Sequence, residues 1–215
     1  MNVEVFYHMY CVEDCVDRFL SSYNKMEKSG LLDTTNNVHV VMVGEDCKKY
    51  GKQIKSLTKV TPYVCPNIFG EMNTIKFLYD FCQQHSNKQI LYFHSKGASK
   101  NKNPNIKAWV EYMEYFLIEN YSICLEALNT FDTVGVDYLP APMPHYSGNF
   151  WWANGIYIKN HSCFDEGLKT SIINDPRWYC EFWLLHDNNV KHKCLHNSNI
   201  DLYGTEYTKE KYAIR

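Results

Sequence analysis

The sequence lacks the short motifs that identify the best-known nucleotide-binding and hydrolytic sites. It contains no GxxxxGK[ST] and no GxGxxG, so neither a P-loop nor a dinucleotide-binding fold has support. It also contains no GxSxG, HExxH or EF-hand pattern, which excludes the common serine hydrolase, zinc protease and calcium-sensor signatures. Any site must therefore be assembled from residues that are distant in the chain.

The chain also has no long apolar run and no excess of basic residues. Lys and Arg number 22 against 24 Asp and Glu, which gives a net charge of −2. Proteins that bind a phosphate backbone normally carry a basic excess, so nucleic acid is not an expected partner. No run is long enough to span a bilayer, and the first residues do not form a basic signal segment. We expect a cytoplasmic protein without a membrane span.

Nine cysteines are present, but no two of them form a CxxC pair. Cys82 and Cys124 lie in apolar, helix-like stretches, which predicts reduced thiols packed as small hydrophobic residues. Cys11 and Cys15, with His8 nearby, are an alternative metal site, although their spacing matches no common zinc pattern.

Apolar segments of strand length alternate with amphipathic segments of helix length. Strands are expected at 3–7, 38–44, 60–64, 90–93, 133–139, 149–159 and 192–195. Helices are expected at about 12–26, 73–82, 106–128 and 176–186. Continuous apolar strands separated by helices are typical of a mostly parallel sheet that is covered on both faces. Because no repeat or linker interrupts this pattern, we predict one α/β domain over residues 1–215.

Polar residues follow several of these strands. They are Tyr7-His8, Gly44-Glu45-Asp46, His94-Ser95-Lys96 and Asp137-Tyr138. Ligands of open α/β sheets bind at the carboxyl ends of the strands, so these clusters indicate a site along one sheet edge. The segment HSKG supplies an imidazole, a hydroxyl, an ammonium and a backbone donor at Gly97, which suit a pyrophosphate. The alternative is a solvated Lys96 followed by a turn glycine.

The segment PHYSGNFWWANG, residues 144–155, combines groups that suit a sugar. Gly148 allows a ligand to approach the backbone closely, and Asn149 can match sugar hydroxyls. Trp151 and Trp152 offer flat apolar faces for a pyranose ring. Adjacent residues of a strand point to opposite faces, so only one of these rings is expected in a site. Burial of both rings in the core is the alternative.

Glu181 lies between apolar residues on the last predicted helix. A carboxylate in such a position is usually either paired or functional. Arg177 precedes it by four residues, so a simple intrahelical ion pair is one interpretation. A general base is the other.

Several segments, taken in order, resemble a known family. They are VFYHMY (5–10), SGLLD (29–33), EMNTIKFLYDFC (71–82), ILYFHSKGAS (90–99), a helix led by Trp109, HYSGNFWWAN (145–154) and EFW (181–183). They resemble a group of small glycosyltransferases with a GT-A-type fold, found in large DNA viruses and in some bacteria and algae. The similarity is greatest to the chlorella-virus glycosyltransferases of capsid glycan synthesis, and it spans about residues 3–185.

The resemblance implies a hexosyltransferase that moves a sugar from a UDP-sugar donor to a glycan or glycoprotein acceptor, in the host-cell cytoplasm if the protein is viral. It also implies a divalent cation, Mn²⁺ or alternatively Mg²⁺. The expected donor-binding residues are Tyr7, His8, Tyr10, His94, Ser95, Lys96 and Gly97. The residues expected to border the sugar and acceptor are Asp137, Gly148, Asn149, Trp151 and Trp152. For an inverting reaction we expect Glu181 to be the general base.

The sequence departs from the GT-A pattern at the metal site. It contains no Asp-x-Asp, and His94-Ser95-Lys96 stands at that place. A metal would need other ligands, for which the candidates are His94 and His145, followed by Asp137 and His196. Alternatively, Lys96 offsets the diphosphate charge without a metal.

Two other functions are compatible with these residues. One is a non-catalytic module of the same fold that binds a nucleotide-sugar or a carbohydrate. The other is a phosphate-ester hydrolase with a histidine-centred metal site, which has less support because no cluster of ligands occurs at short spacing.

Overall fold

A computed structural model describes residues 2–65, 70–98, 103–173, 175–187 and 189–213. The strands are Val3–Cys11 (β1), Thr35–Gly44 (β2), Val60–Val64 (β3), Gln89–His94 (β4), Thr133–Gly135 (β5), Tyr138–Leu139 (β6), His145–Tyr146 (β7), Trp151–Asn154 (β8) and His192–Cys194 (β9). The helices are Cys15–Ser29 (α1), Leu31–Thr34 (α2), Cys47–Ile54 (α3), Met72–Gln84 (α4), Pro104–Glu114 (α5), Tyr121–Ala127 (α6), Gly155–Asn160 (α7), Phe164–Thr170 (α8) and Pro176–Phe182 (α9). Short 3₁₀ turns occur at Trp183–Leu185 and Lys209–Lys211.

Seven strands form the central sheet in the order β3-β2-β1-β4-β8-β5-β9. β1 pairs in parallel with β2 and β4, β2 with β3, and β5 with β9. β8 runs antiparallel to both of its neighbours, β4 and β5. The short strands β6 and β7 form a separate hairpin. The mainly parallel sheet confirms the predicted α/β class.

Helices cover both faces of the sheet, as the continuous apolar strands predict. In β1, Tyr7 and Met9 face a core shared with α1, α3, α5 and α6, whereas Phe6 faces a core shared with α4, α7, α8 and α9. Every residue of β1 except Tyr10 is buried, because successive side chains enter opposite cores. No helix within the described ranges combines the length and apolarity needed to cross a membrane.

The helix predicted at 106–128 is interrupted. It begins earlier, at Pro104, because the side chain of Asn103 accepts a hydrogen bond from the backbone N–H of Asn105 and proline is tolerated in the first turn. A π-helical segment, Tyr115–Glu119, then separates α5 from α6. The backbone and side-chain nitrogens of Asn120 both donate to the Tyr115 carbonyl, at 3.0 and 2.8 Å. This local bonding widens the turn, and apolar periodicity does not reveal it.

Two predicted strands are shorter than expected. The segment 149–159 is a strand only over β8, and α7 follows directly at Gly155. The Asn154 side chain donates to the carbonyls of Leu128 and Phe131, which fixes the point where the strand ends. The segment 133–139 divides into β5 and β6 because Asp137, with φ of 47°, turns the chain between them.

All nine cysteines are unpaired thiols, as predicted. Cys11 Sγ lies 3.0 Å from Cys47 Sγ in the core of the α1 face, whereas the His8 side chain contacts α4 on the opposite face. Within the described part of the chain, no three His, Cys, Asp or Glu side chains are grouped to hold a metal. The alternative metal site at Cys11, Cys15 and His8 therefore does not form.

Candidate functional site at the carboxyl ends of β1 and β4

The chain order reverses across the sheet between β1 and β4. From β1 the chain moves outward to β2 and β3, and then returns to place β4 on the other side of β1. Loops that leave such a pair of parallel strands diverge and open a crevice at their carboxyl ends, where ligands of this fold type bind. The Ser95 side chain ties the two ends together, since its Oγ accepts from the Tyr10 N–H at 2.8 Å and its own N–H donates to the His8 carbonyl at 2.9 Å.

His94 ends β4 and has a hydrogen-bond acceptor at each ring nitrogen. Its Nε2 lies 3.0 Å from the Gly148 carbonyl oxygen, so this nitrogen carries a proton and donates it. Its Nδ1 lies 3.2 Å from Glu71 Oε1. Burial, assisted by the Lys96 ammonium, lowers the pKa of His94 to about 4, so the ring is neutral at pH 7. The Nδ1 lone pair then faces a carboxylate, an arrangement that a proton or a cation would bridge.

Glu71 is fixed by its second oxygen. Oε2 accepts from the Tyr92 hydroxyl at 3.0 Å and from Asn149 Nδ2 at 2.8 Å. The other end of the Asn149 amide accepts from Trp151 Nε1 at 2.9 Å. Burial raises the pKa of the Tyr92 hydroxyl, and the Glu71 carboxylate adds to this effect, so the tyrosine remains a donor. Glu71 is thus held in a buried polar network with Oε1 directed at His94.

Lys96 and Arg18 place two cations beside the same strand end. Lys96 Nζ lies 3.9 Å from the centre of the Trp109 ring, which is a close cation–π contact. Arg18 Nη1 donates to the Lys96 carbonyl at 3.3 Å, and its Nε donates to Asp14 Oδ2 at 2.8 Å. These contacts position both cations before any ligand arrives.

The turn after Lys96 fits a glycine. Gly97 has φ of +73°, and a Cβ placed on it would lie 2.5 Å from Ile106 Cγ2. A side chain at this position would be strained by the backbone conformation and would collide with α5. Gly97 therefore brings the backbone of the HSKG turn directly against that helix.

A cavity of about 530 Å³ opens beside this turn, between α1 and α5. His94, Ser95, Lys96 and Gly97 lie on one wall, and Tyr7 lines it from the core. On the far wall Glu114 is buried, accepts from Lys25 Nζ at 2.6 Å and makes a second hydrogen bond with the Ser22 hydroxyl. The volume is in the range of small-molecule sites.

Glu181 lies on α9, on the other side of β4. Its charge raises the pKa of His94 and of Tyr92, although burial has the larger effect on both groups. Helix α9 packs against α4, whose N-terminus follows Glu71. The candidate base and the His94 pair therefore share one region of the sheet edge.

Two residues predicted for the site, His8 and Asp137, form hydrogen bonds to other parts of the protein. His8 Nδ1 lies 2.8 Å from Thr74 Oγ1 in α4, and burial lowers the pKa of His8 to about 4. Asp137 accepts from the Ser198 backbone N–H and hydroxyl at 2.5 and 3.0 Å, and so holds the C-terminal segment in place. Burial raises the pKa of Asp137, while these hydrogen bonds act in the opposite direction.

Two histidines predicted as metal ligands are also engaged elsewhere. His145 Nδ1 lies 2.8 Å from the Met143 carbonyl, so it donates there. His196 Nδ1 lies 3.0 Å from the Tyr112 hydroxyl. Neither is grouped with His94 in a cluster of three potential ligands among the described residues.

Trp151 and Trp152 both lie in the core. Trp151 stacks on Tyr92 at 4.9 Å between ring centres, and Trp152 Nε1 donates to the Leu117 carbonyl at 2.8 Å on the opposite face. Their exposed fractions are 1% and 0%. Since β8 lies between β4 and β5 in a sheet covered on both sides, neither ring has a face open to a sugar. The structure corresponds to the alternative in which both rings are buried.

Three residues of the candidate site were not predicted from the sequence to have a functional role. Glu71 lies in the segment EMNTIKFLYDFC, which resembles the glycosyltransferase family. Its position just before a predicted helix is the feature of the sequence that could have indicated a functional carboxylate. Trp109 begins one of the helical segments that resemble the glycosyltransferase family, but its contact with Lys96 depends on the turn at Gly97. Arg18 gave no signal, because a single arginine on an amphipathic helix is ordinary.

No curated protein matches the sequence. Among solved structures, the chain is similar to 4-diphosphocytidyl-2C-methyl-D-erythritol synthase from Anaerococcus prevotii, with a TM-score of 0.51 and 10% identity over 97% of this chain and 92% of that one. A protein from Desulfovibrio desulfuricans G20 assigned as a nucleotide-diphospho-sugar transferase gives a TM-score of 0.47 and 10% identity over 92% of this chain and 81% of that one. At such identity the first likeness shows a shared fold, which agrees with the predicted GT-A-like class.

One family model matches the sequence itself. It covers residues 6–170, which include most of β1, the segment before α4, the HSKG turn and β8. The match therefore contains the His94–Glu71 pair, Lys96, Arg18 and Gly148, and it ends before α9. The chain belongs to the family described as Domain of unknown function (DUF8361).

Proposed function

We propose that this protein is a glycosyltransferase that moves a sugar from a UDP-sugar donor to a glycan or protein-linked acceptor. One observation carries the proposal: an imidazole, a hydroxyl and an ammonium meet at the topological switch point of a GT-A-like sheet, beside a cavity of about 530 Å³. That fold supports a nucleotide-sugar ligand, and the polar groups suit its diphosphate.

The leaving group of sugar transfer is a diphosphate, whose negative charge grows as the glycosidic bond breaks. Lys96 is held over the Trp109 ring, and its carbonyl accepts from Arg18, so two cations are oriented toward one strand end. Cations fixed before the reaction stabilise developing charge without reorganisation. We assign diphosphate binding to Lys96, with Arg18 beside it.

His94 and Glu71 would hold a divalent cation, Mn²⁺ or alternatively Mg²⁺. The Nδ1 lone pair of the neutral ring and Oε1 lie 3.2 Å apart, so two ligand atoms face each other across this gap. Within the described residues there is no third protein ligand in the group, so the remaining positions would fall to diphosphate oxygens and water. When bound, such a cation would neutralise charge on the leaving diphosphate.

Glu181 is our candidate for the base that accepts the proton of the acceptor hydroxyl. It lies on α9, which packs against α4 and β7 in the layer on the side of β4 away from the cavity, and its charge raises the pKa of His94. Replacing Glu181 by Gln should leave UDP affinity within twofold of wild type and abolish sugar transfer. Full transfer activity in Glu181→Gln would remove this residue from the mechanism.

The resemblance to the chlorella-virus enzymes supports capsid glycan synthesis in the host-cell cytoplasm as the setting of this activity. A non-catalytic nucleotide-sugar binding module is the competing proposal. Incubation with UDP-sugars and Mn²⁺ separates the two, since a transferase releases UDP and a binding module releases none.

Calorimetric titration of UDP tests the assignment of Lys96. Lys96→Ala should weaken UDP binding by at least about tenfold, the effect of one lost charge-assisted hydrogen bond. Lys209→Ala is a matched control, because Lys209 also lies over an aromatic ring, that of Tyr115 at 5.0 Å, on the C-terminal turn. Equal affinities for the two variants would contradict the proposed diphosphate site.

A further inference from the structure

Trp178 is the most solvent-exposed tryptophan of the protein. Trp151, Trp152 and Trp183 are at most 1% exposed, whereas Trp178 is 62% exposed on α9. Its neighbours Tyr179, Cys180 and Phe182 are buried and anchor the helix to the protein. The indole is therefore presented on a rigid element rather than on a loop.

The exposed indole lies on the same helix face as the candidate base. Residues three apart on a helix are neighbours, so Trp178 and Glu181 stand side by side, and Arg177 is four residues from Glu181. The resulting surface places the flat apolar indole of Trp178 next to the carboxylate of Glu181 and the guanidinium of Arg177. Helix α9 packs against β7, and β7 leads into Gly148, whose carbonyl accepts from His94, so this helix adjoins the proposed diphosphate site.

This combination matches one side of a pyranose ring. A sugar ring has an apolar C–H face, which an indole can cover, and a rim of hydroxyls, which a carboxylate and a guanidinium can bind. A stable protein partner would require roughly 1,000 Å² of complementary surface, far more than one face of a seven-residue helix supplies.

We infer that Trp178 is the stacking platform for the acceptor, a terminal pyranose of a glycan, with its reactive hydroxyl directed at Glu181. This inference rests on the proposed function and adds the place and chemical class of the acceptor. It assigns the acceptor to a tryptophan that the sequence motifs did not include.

Saturation-transfer NMR with a panel of methyl pyranosides tests the inference. The panel contains the gluco, galacto, manno, xylo, fuco and rhamno compounds. We expect ring C–H signals from at least one pyranoside with wild type, at least tenfold weaker binding with Trp178→Ala, and partial recovery with Trp178→Phe. Ile123→Ala is the matched control, since Ile123 is 51% exposed on α6 in the opposite layer, and it should bind as wild type does.

Calorimetry of UDP with the same proteins keeps the two proposals apart. If wild type binds no UDP, the proposed function fails whatever the pyranosides do. If UDP binds normally but no pyranoside gives a signal, or Trp178→Ala leaves the signal unchanged, the acceptor platform is wrong. A dimer in wild type that dissociates in Trp178→Ala would also overturn it, because the indole would then cover a second copy of the chain.

Discussion

At the scale of single residues, His94 and Glu71 define the chemistry of the site. Both ring nitrogens of His94 face acceptors, and Glu71 holds a buried tyrosine and a buried amide with its other oxygen. The position of His94 is predictable from the sequence, because it ends an apolar strand. Its pairing with Glu71 is not, since the contact depends on how α4 packs beside β4.

Substitution of Glu71 separates its structural role from its charge. Glu71→Ala leaves the buried donors of Tyr92 and Asn149 without a partner, so the free energy of unfolding should fall by about 1–3 kcal/mol. In Glu71→Gln the amide oxygen can still accept from both donors, while the amide N–H donates to neutral His94. Chemical denaturation should therefore find Glu71→Gln close to wild type.

The same Glu71→Gln variant tests the cation proposal. Removing the carboxylate should eliminate the gain in UDP affinity that Mn²⁺ gives to wild type, and calorimetry with and without Mn²⁺ measures it. A full Mn²⁺ effect in Glu71→Gln would show that the cation is held elsewhere.

At the scale of elements, the strand ends were predictable and the turns between elements were not. Apolar runs identify β1, β2 and β4, so polar residues that follow them could be assigned to one edge of the sheet. The adjacent tryptophans could be assigned to opposite faces, but their joint burial depends on the central position of β8. The π-helical segment and the left-handed turn at Gly148 depend on contacts with distant residues.

Gly148 connects β7 to β8 and supplies the carbonyl that His94 donates to. It has φ of +93°, and a Cβ there would lie 2.6 Å from Met113 Sδ. Gly70 also has positive φ, +58°, but no atom of the described residues lies within 4 Å of its Cβ position. Gly148→Ala should thus cost about 2–4 kcal/mol, from the left-handed backbone and the overpacking, against about 1–2 kcal/mol for Gly70→Ala.

Thermal and denaturant unfolding of the two variants measures this difference. Gly148→Ala should also weaken UDP binding, because any shift of the carbonyl moves His94. Equal destabilisation by the two substitutions would mean that contact with Met113 is not what makes glycine necessary.

At the scale of the whole molecule, stability should depend on pH through buried histidines. Burial lowers the pKa of His8 from 6.5 to about 4. A depressed histidine pKa means that the unfolded state binds the proton first, so stability is complete above about pH 6.5 and falls as the pH drops toward 4. Between pH 7 and pH 5 this single group should remove about 2 kcal/mol from the free energy of unfolding.

Urea unfolding of wild type and His8→Gln across pH 5–8 isolates this contribution. The two stability curves should run parallel above pH 7 and converge by about 2 kcal/mol at pH 5. Parallel curves over the whole range would show that His8 does not resist protonation in the folded state.

The most direct test of the central claim is a crystal structure of the protein soaked with UDP and Mn²⁺. We expect an anomalous manganese peak bound by His94 Nδ1 and Glu71 Oε1, with the diphosphate next to Lys96 at the ends of β1 and β4. UDP bound at another place, or manganese bound without these two residues, would contradict it.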